Sequence, residues 1–227
     1  MLIIDRFKEL EKKRIFAGFK SYLWKISGFL GNRFFNKPAP DIKTKEGLRL
    51  LNLGCGTCHY EGWVNADFYR LNNLIYNRHL LPNWMLDLTV PLNCESDYWD
   101  GVLIEHVNEH LLYSQNYDLF KEVFRTMKVG GTCRIILPDL DRYLNWSELR
   151  EIEPKMSRYS SLAEAVSNLT QNHSHISVWN FDLLSEVLED IGFTNIKISS
   201  FGKASVDAMN VDTKSHQWES LYVEAHK

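Results

Sequence analysis

Residues Leu48–Asp67 read LRLLNLGCGTCHYEGWVNAD, an apolar run that enters a glycine turn and closes on a carboxylate fourteen residues after Leu53. Leu50, Leu51 and Leu53 read as a parallel strand, because a strand covered on both faces carries apolar residues without alternation. Gly54 and Gly56 let the backbone turn sharply and approach a ligand without a side-chain clash. Trp63 to Ala66 makes a second short strand that ends at Asp67. In an open α/β sheet, ligands sit beyond the carboxyl ends of the strands, and an acid after the second strand can accept both hydroxyls of a ribose. This order predicts a nucleoside pocket.

The pattern continues outward. Met85-Leu86-Asp87-Leu88 ends a third candidate strand. Tyr98–Leu111, YWDGVLIEHVNEHL, reads as a fourth strand through Val102-Leu103-Ile104 with a helix after it. Leu119–Leu140, LFKEVFRTMKVGGTCRIILPDL, gives a helix, a glycine turn and a fifth strand. His175 to Ser199 leads into a helix closed by Gly192 and a sixth strand, and LYVEA at Leu221–Ala225 is expected to pair antiparallel beside it. Alternation of strands and helices argues α/β, and 227 residues at 44% apolar content suffice for one substantial core.

These ordered blocks, from about residue 41 to 227, resemble class I S-adenosylmethionine-dependent methyltransferases. The form LNLGCG…GWVNAD is similar to a small-molecule subgroup often encoded with surface-polysaccharide genes. The resemblance implies a Rossmann-like, seven-stranded, mostly parallel sheet with helices on both faces and an antiparallel last strand. It implies S-adenosylmethionine as cofactor, no metal, and cofactor contacts from Asn52, Gly54, Cys55, Gly56, Asp67, Asp87, Leu88 and Glu105, with Asp87 near the adenine amino group. The family's first motif often begins with Asp or Glu and carries a third glycine. Asn52 and Cys58 stand in those places here, as subgroup character.

The implied acceptor is an oxygen of a sugar or other small metabolite, in cell-surface glycan biosynthesis. In-line alignment of nucleophile and methyl group would supply much of the rate. A histidine, with an unperturbed pKa of about 6.5, suits removal of the hydroxyl proton. His106, at the end of the fourth strand, is the first candidate. His175 is the second, with anchoring of its loop as the structural alternative, and His110 is expected to cap or pack. Asp139 and Asp141 either hold substrate hydroxyls or end the fifth strand. Residues 141–179 are expected to cover substrate, with a helical stretch within Ser157 to Leu169. Tyr143, Trp146, Tyr159 and Trp179 can pack on a sugar or fill a core.

Other motifs compete. Cys55-Gly56-Thr57-Cys58-His59 matches CxxCH of haem attachment, but at the tip of a buried strand. His106-Val107-Asn108-Glu109-His110 matches the inverted zincin pattern HxxEH, with Glu109 as base, and a zinc hydrolase is the leading alternative. That site needs a long helix around both histidines, whereas the pattern here reads as a strand ending immediately before His106. A nicotinamide GxGxxG would need glycine where His59 stands. A non-catalytic cofactor-binding scaffold is a further alternative, since fold does not establish function. Nucleic acid is not an expected partner: net charge is −3, and Glu105-His106-Val107-Asn108 replaces the Pro-Pro motif of base-amino methylases.

Residues 1–40 read as a separate extension. Residues 1–37 hold nine basic against three acidic side chains, net +6, leaving −9 for the rest. Ile15, Phe16, Phe19, Tyr22, Leu23, Ile26 and Leu30 recur at helical spacing, so a basic amphipathic helix is expected. It would pack on its own domain, on a partner subunit, or peripherally on the inner face of a membrane. Lys37-Pro38-Ala39-Pro40 reads as a stiff linker. Four cysteines without a secretory pattern point to reduced thiols and a cytoplasmic location.

Overall fold

The computed structural model describes residues 3–5, 37–68 and 81–227. Its strands are β1 (Leu50–Leu53), β2 (Val64–Asp67), β3 (Trp84–Met85), β4 (Trp99–Glu105), β5 (Met127–Pro138), β6 (Thr194–Ile198) and β7 (Ser220–His226). They form one sheet in the order β3-β2-β1-β4-β5-β7-β6. Strands β3, β2, β1, β4 and β5 pair in parallel, and β7 runs antiparallel between β5 and β6. This is the expected Rossmann-like sheet, with one shift. The third strand lies at Trp84–Met85 rather than ending at Leu88, because the Asp87 carboxylate takes the amide and hydroxyl of Thr89 and turns the chain.

The helices are α1 (Tyr113–Thr126), α2 (Leu140–Leu144), α3 (Trp146–Leu149), α4 (Leu162–Gln171) and α5 (Phe181–Ile191). Asn180 caps α5 by accepting from the Leu183 amide, and Gly192 ends it in the left-handed conformation, φ +114°. Leu119, Phe120 and Val123 of α1 and Leu184, Val187 and Leu188 of α5 recur at helical spacing and share one core with Leu51, Leu53, Val102 and Ile104. The opposite face, with Leu50, Trp63, Leu103, Ile136 and Tyr222, is closed by Met209 and neighbours such as Phe201 and Val206. Among the described residues, helices therefore cover one face and a loop covers the other.

The expected amphipathic helix of residues 1–40 falls largely outside the described residues, although Ile3 is buried in the main core. The Lys37–Pro40 segment is strapped down: Ala39 N–H donates to the Asn93 carbonyl and Trp84 Nε1–H to that of Lys37. No helix among the described residues is long and apolar enough to cross a membrane.

Residues 141–179 carry their own small core, in which Tyr143, Met156, Tyr159, Ala165 and Leu169 pack with Trp218, and Trp146 lies against it. Trp179 is buried in the main core. These aromatics thus take the core role left open by the sequence. α4 begins at Leu162, where the Ser161 hydroxyl accepts the Glu164 amide.

Candidate functional site

Beyond β1 the chain turns through Gly54 (φ +69°) and Gly56 (φ +51°). A Cβ on Gly54 would collide with Val107 Cγ2, whereas the space beside Gly56 is open. The first glycine seats the loop against the segment after β4; the second leaves the backbone open on its outer side. Gly54 and Cys55 amides both donate to the Ala66 carbonyl of β2. Asp67, at the end of β2, accepts from Gly56 N at 2.7 Å and Phe68 N at 2.5 Å, so its carboxylate orders the loop.

Asn52 lies beneath this loop. Its Nδ2 donates to the Cys58 carbonyl at 2.8 Å and to Asn65 Oδ1 at 3.2 Å. Asn65 in turn accepts from the Tyr60 amide and donates to the Tyr60 carbonyl. Asn65 is a loop anchor that sequence reasoning missed, although a polar residue inside a short buried strand was the available signal. Burial pushes the Cys55 thiol up to about 12, which keeps it a neutral packing group. Asp87 and Leu88 follow β3, Asp87 in its Thr89 turn and Leu88 packed on the main core.

At the end of β4, Glu105 accepts from the amide and hydroxyl of Thr213 at 2.9 and 3.0 Å. Burial raises its pKa despite those bonds. His106 follows in a left-handed conformation, φ +51°. Its Nε2 lies 2.9 Å from Ser220 Oγ and its Nδ1 3.2 Å from Glu109 Oε1. Glu109 is buried, and His110 Nε2 and His175 Nε2 lie 3.9 and 4.0 Å from the same oxygen. Burial opposes charge on both members of the His106–Glu109 pair, but their contact outweighs it, raising the histidine and lowering the carboxyl.

The helix required by the inverted zincin pattern is not formed. β4 runs to Glu105, a 3₁₀ turn spans Asn108–His110, and α1 starts only at Tyr113. His106 and His110 instead both approach one oxygen of Glu109. His175 anchors its loop, with Nδ1 2.7 Å from the Leu169 carbonyl, and still presents Nε2 to Glu109. Its ring meets that of His110 edge-on at 5.0 Å. Asp139 caps α2 through the Asp141 amide and also lines a cleft, and Asp141 contacts Asn180. That cleft, of about 560 Å³, is lined by Asp139, Arg142, Lys155, Trp218 and Ser220 among others, and Ser220 is its link to His106.

No family model matches the chain, and no curated protein matches it in sequence. Solved structures do. An S-adenosylmethionine-dependent methyltransferase of Mesorhizobium loti is 16% identical over 83% of this chain and 93% of that one, TM-score 0.52. A SAM-dependent methyltransferase of Thermotoga maritima, described as a possible histamine N-methyltransferase, is 13% identical over 79% and 82%, TM-score 0.50. A protein of Bordetella parapertussis described as a possible exported protein is 14% identical over 87% of this chain but only 65% of its own, TM-score 0.53. The chain has the fold these structures share.

Proposed function

We propose that this chain is a class I S-adenosylmethionine-dependent methyltransferase acting on an oxygen of a sugar or other small metabolite, in surface-glycan biosynthesis. The observation that carries this reading is the pairing of the open Gly56 backbone with Asp67 across the ends of β1 and β2, next to the β1/β4 boundary at which the strand order reverses, the kind of switch point at which α/β sheets bind nucleotides. Gly54, Cys55, Gly56 and Asp67 would hold the cofactor, with Asp87 and Leu88 beyond β3. When bound, it supplies an electrophilic methyl group. Asn52 supports the loop from below, and Glu105 acts through the Thr213 segment. The cleft beside Ser220, with Arg142 and Lys155 on its wall, suits a polar acceptor.

Both ring nitrogens of His106 face protein groups, so in this reading His106 positions Glu109 and, at the wall of the cleft, Ser220, while the 40%-exposed His110 is the ring of the cluster left open to solvent. Calorimetric titration of chelator-treated protein with S-adenosylmethionine and S-adenosylhomocysteine tests the assignment. Saturable one-to-one binding is expected, followed by methyl transfer to glycan acceptors; absence of binding by folded protein overturns it. His106→Ala should spare cofactor affinity and suppress turnover.

A further inference from the structure

We propose that Glu109, His110 and His175 form a binding site for a first-row divalent transition-metal cation. One oxygen of Glu109 and one ring nitrogen from each histidine all lie within 4.8 Å of one another. The Glu109 side chain is 2% exposed; His106 Nδ1 approaches only its Oε1, at 3.2 Å and without a well-formed hydrogen bond, and among the described residues Oε2 has no hydrogen-bond partner. A buried carboxylate short of donors is costly, so this arrangement calls for a cation.

The hydrogen bonds around the cluster set where the protons are. Leu169 O can only accept, so at 2.7 Å it fixes the proton of His175 on Nδ1 and turns the Nε2 lone pair toward Glu109. Ser220 donates its hydroxyl to the His216 carbonyl at 2.7 Å, and therefore accepts from Nε2–H of His106. A metal-ligating histidine usually donates its other ring N–H to a carbonyl as His175 does, which fixes ring and tautomer. Two imidazoles and one carboxylate with open positions form a donor set taken by divalent iron, zinc or their neighbours in the row. Ligand bonds of about 2.1 Å place neighbouring donors about 3 to 3.5 Å apart, so binding shortens separations that now reach 4.8 Å by up to about 1.5 Å.

Hydrogen bonds pin the backbone that carries the donors, leaving the side chains to close on the cation. Ile176 and Ser177 amides both donate to the Glu109 carbonyl, and Ser177 Oγ donates to that of Asn108. These bonds join two segments far apart in the chain and set His175 opposite Glu109. His106, His173 and Ser174 hold left-handed backbone around the same cluster. The partly exposed His110 leaves a path for exchange of the cation and for an acceptor oxygen as a further ligand.

The test needs no methyl transfer. Metal-free protein is titrated with Co²⁺, read by its visible absorption, and with Zn²⁺ by calorimetry, Mg²⁺ serving as an oxygen-preferring control. One equivalent of Co²⁺ or Zn²⁺ is expected, with affinity at least tenfold weaker in His110→Ala and His175→Ala while the metal-free melting temperature of His110→Ala stays within about a degree of the parent. Absence of saturable uptake, or uptake unchanged in both variants, overturns the site. Cofactor binding without cation uptake would retain the transferase reading and discard the metal; cation uptake without cofactor binding would do the reverse.

Discussion

Asn52 and Cys58, the two positions at which the glycine loop departs from the family pattern, touch each other: Asn52 Nδ2–H donates to the Cys58 carbonyl at 2.8 Å. The same nitrogen reaches Asn65 Oδ1, which already accepts the Tyr60 amide, so the amide orientation is fixed by its neighbours. Placing at Asn52 the acid of the pattern it resembles should therefore harm this chain. Asn52→Asp places a carboxylate oxygen against two acceptors and should cost about 2 to 3 kcal/mol, since a buried polar group loses its partner. Urea denaturation reads the stability and calorimetry the cofactor affinity; an Asn52→Asp variant as stable as the parent would remove the anchoring role.

Asp67 has two duties that separate by substitution. Its carboxylate holds the Gly56 and Phe68 amides, and under the proposed function it also accepts ribose hydroxyls. Asp67→Asn keeps an acceptor for one amide, and should weaken S-adenosylhomocysteine binding at least tenfold with a small change in melting temperature. Asp67→Ala should lose both. Equal affinity in parent and Asn variant would sink the ribose assignment.

Local pattern made the sheet legible. Buried strands, the Gly192 cap and the LYVEA strand all carry their signals within a few residues, and Asp67 follows from strand order. The histidine cluster was only half legible: HVNEH and His175 were each singled out, but their meeting at Glu109 depends on the Ile176 and Ser177 amides closing on the Glu109 carbonyl, a long-range pairing with no sequence period. His106 looked like an open strand-end base because nothing local shows Ser220 arriving from β7 to occupy its Nε2. Glu105 likewise is taken by Thr213, more than a hundred residues away.

Arg134 shows the same non-local logic in the core. It is fully buried on β5, gives Asp212 a two-point contact at 2.8 and 2.6 Å, and reaches Glu224 at 3.3 Å. Removing the cation leaves two buried carboxylates without their shared partner, so Arg134→Leu should destabilise by about 3 to 5 kcal/mol. Replacing all three with apolar residues of similar volume should recover most of that loss. If the single variant unfolds at the parent's denaturant midpoint, the ion cluster is not holding the loop before Thr213.

Asp100 ties together the opposite ends of three strands. Its carboxylate accepts from the Arg49 amide at 2.8 Å and from Lys128 Nζ at 2.6 Å, clamping the starts of β1, β4 and β5. Burial opposes ionisation, but the Lys128 ammonium and the Arg49 amide outweigh it and hold the carboxyl below the usual carboxylate range. A carboxyl whose pKa is lower in the folded than in the unfolded chain adds stability above its unfolded value, about 3.9, and loses it as pH falls through the folded value. The group is partly exposed and screened, so Asp100→Asn should cost only about 1 kcal/mol near neutrality. That difference should stay level from about pH 7 to 5 and shrink below about pH 4, where the parent carboxylate takes up its proton. Melting temperatures of parent and variant between these limits test it, and a gap that persists undiminished into acid would mean that shape, rather than charge, holds the three strand ends together.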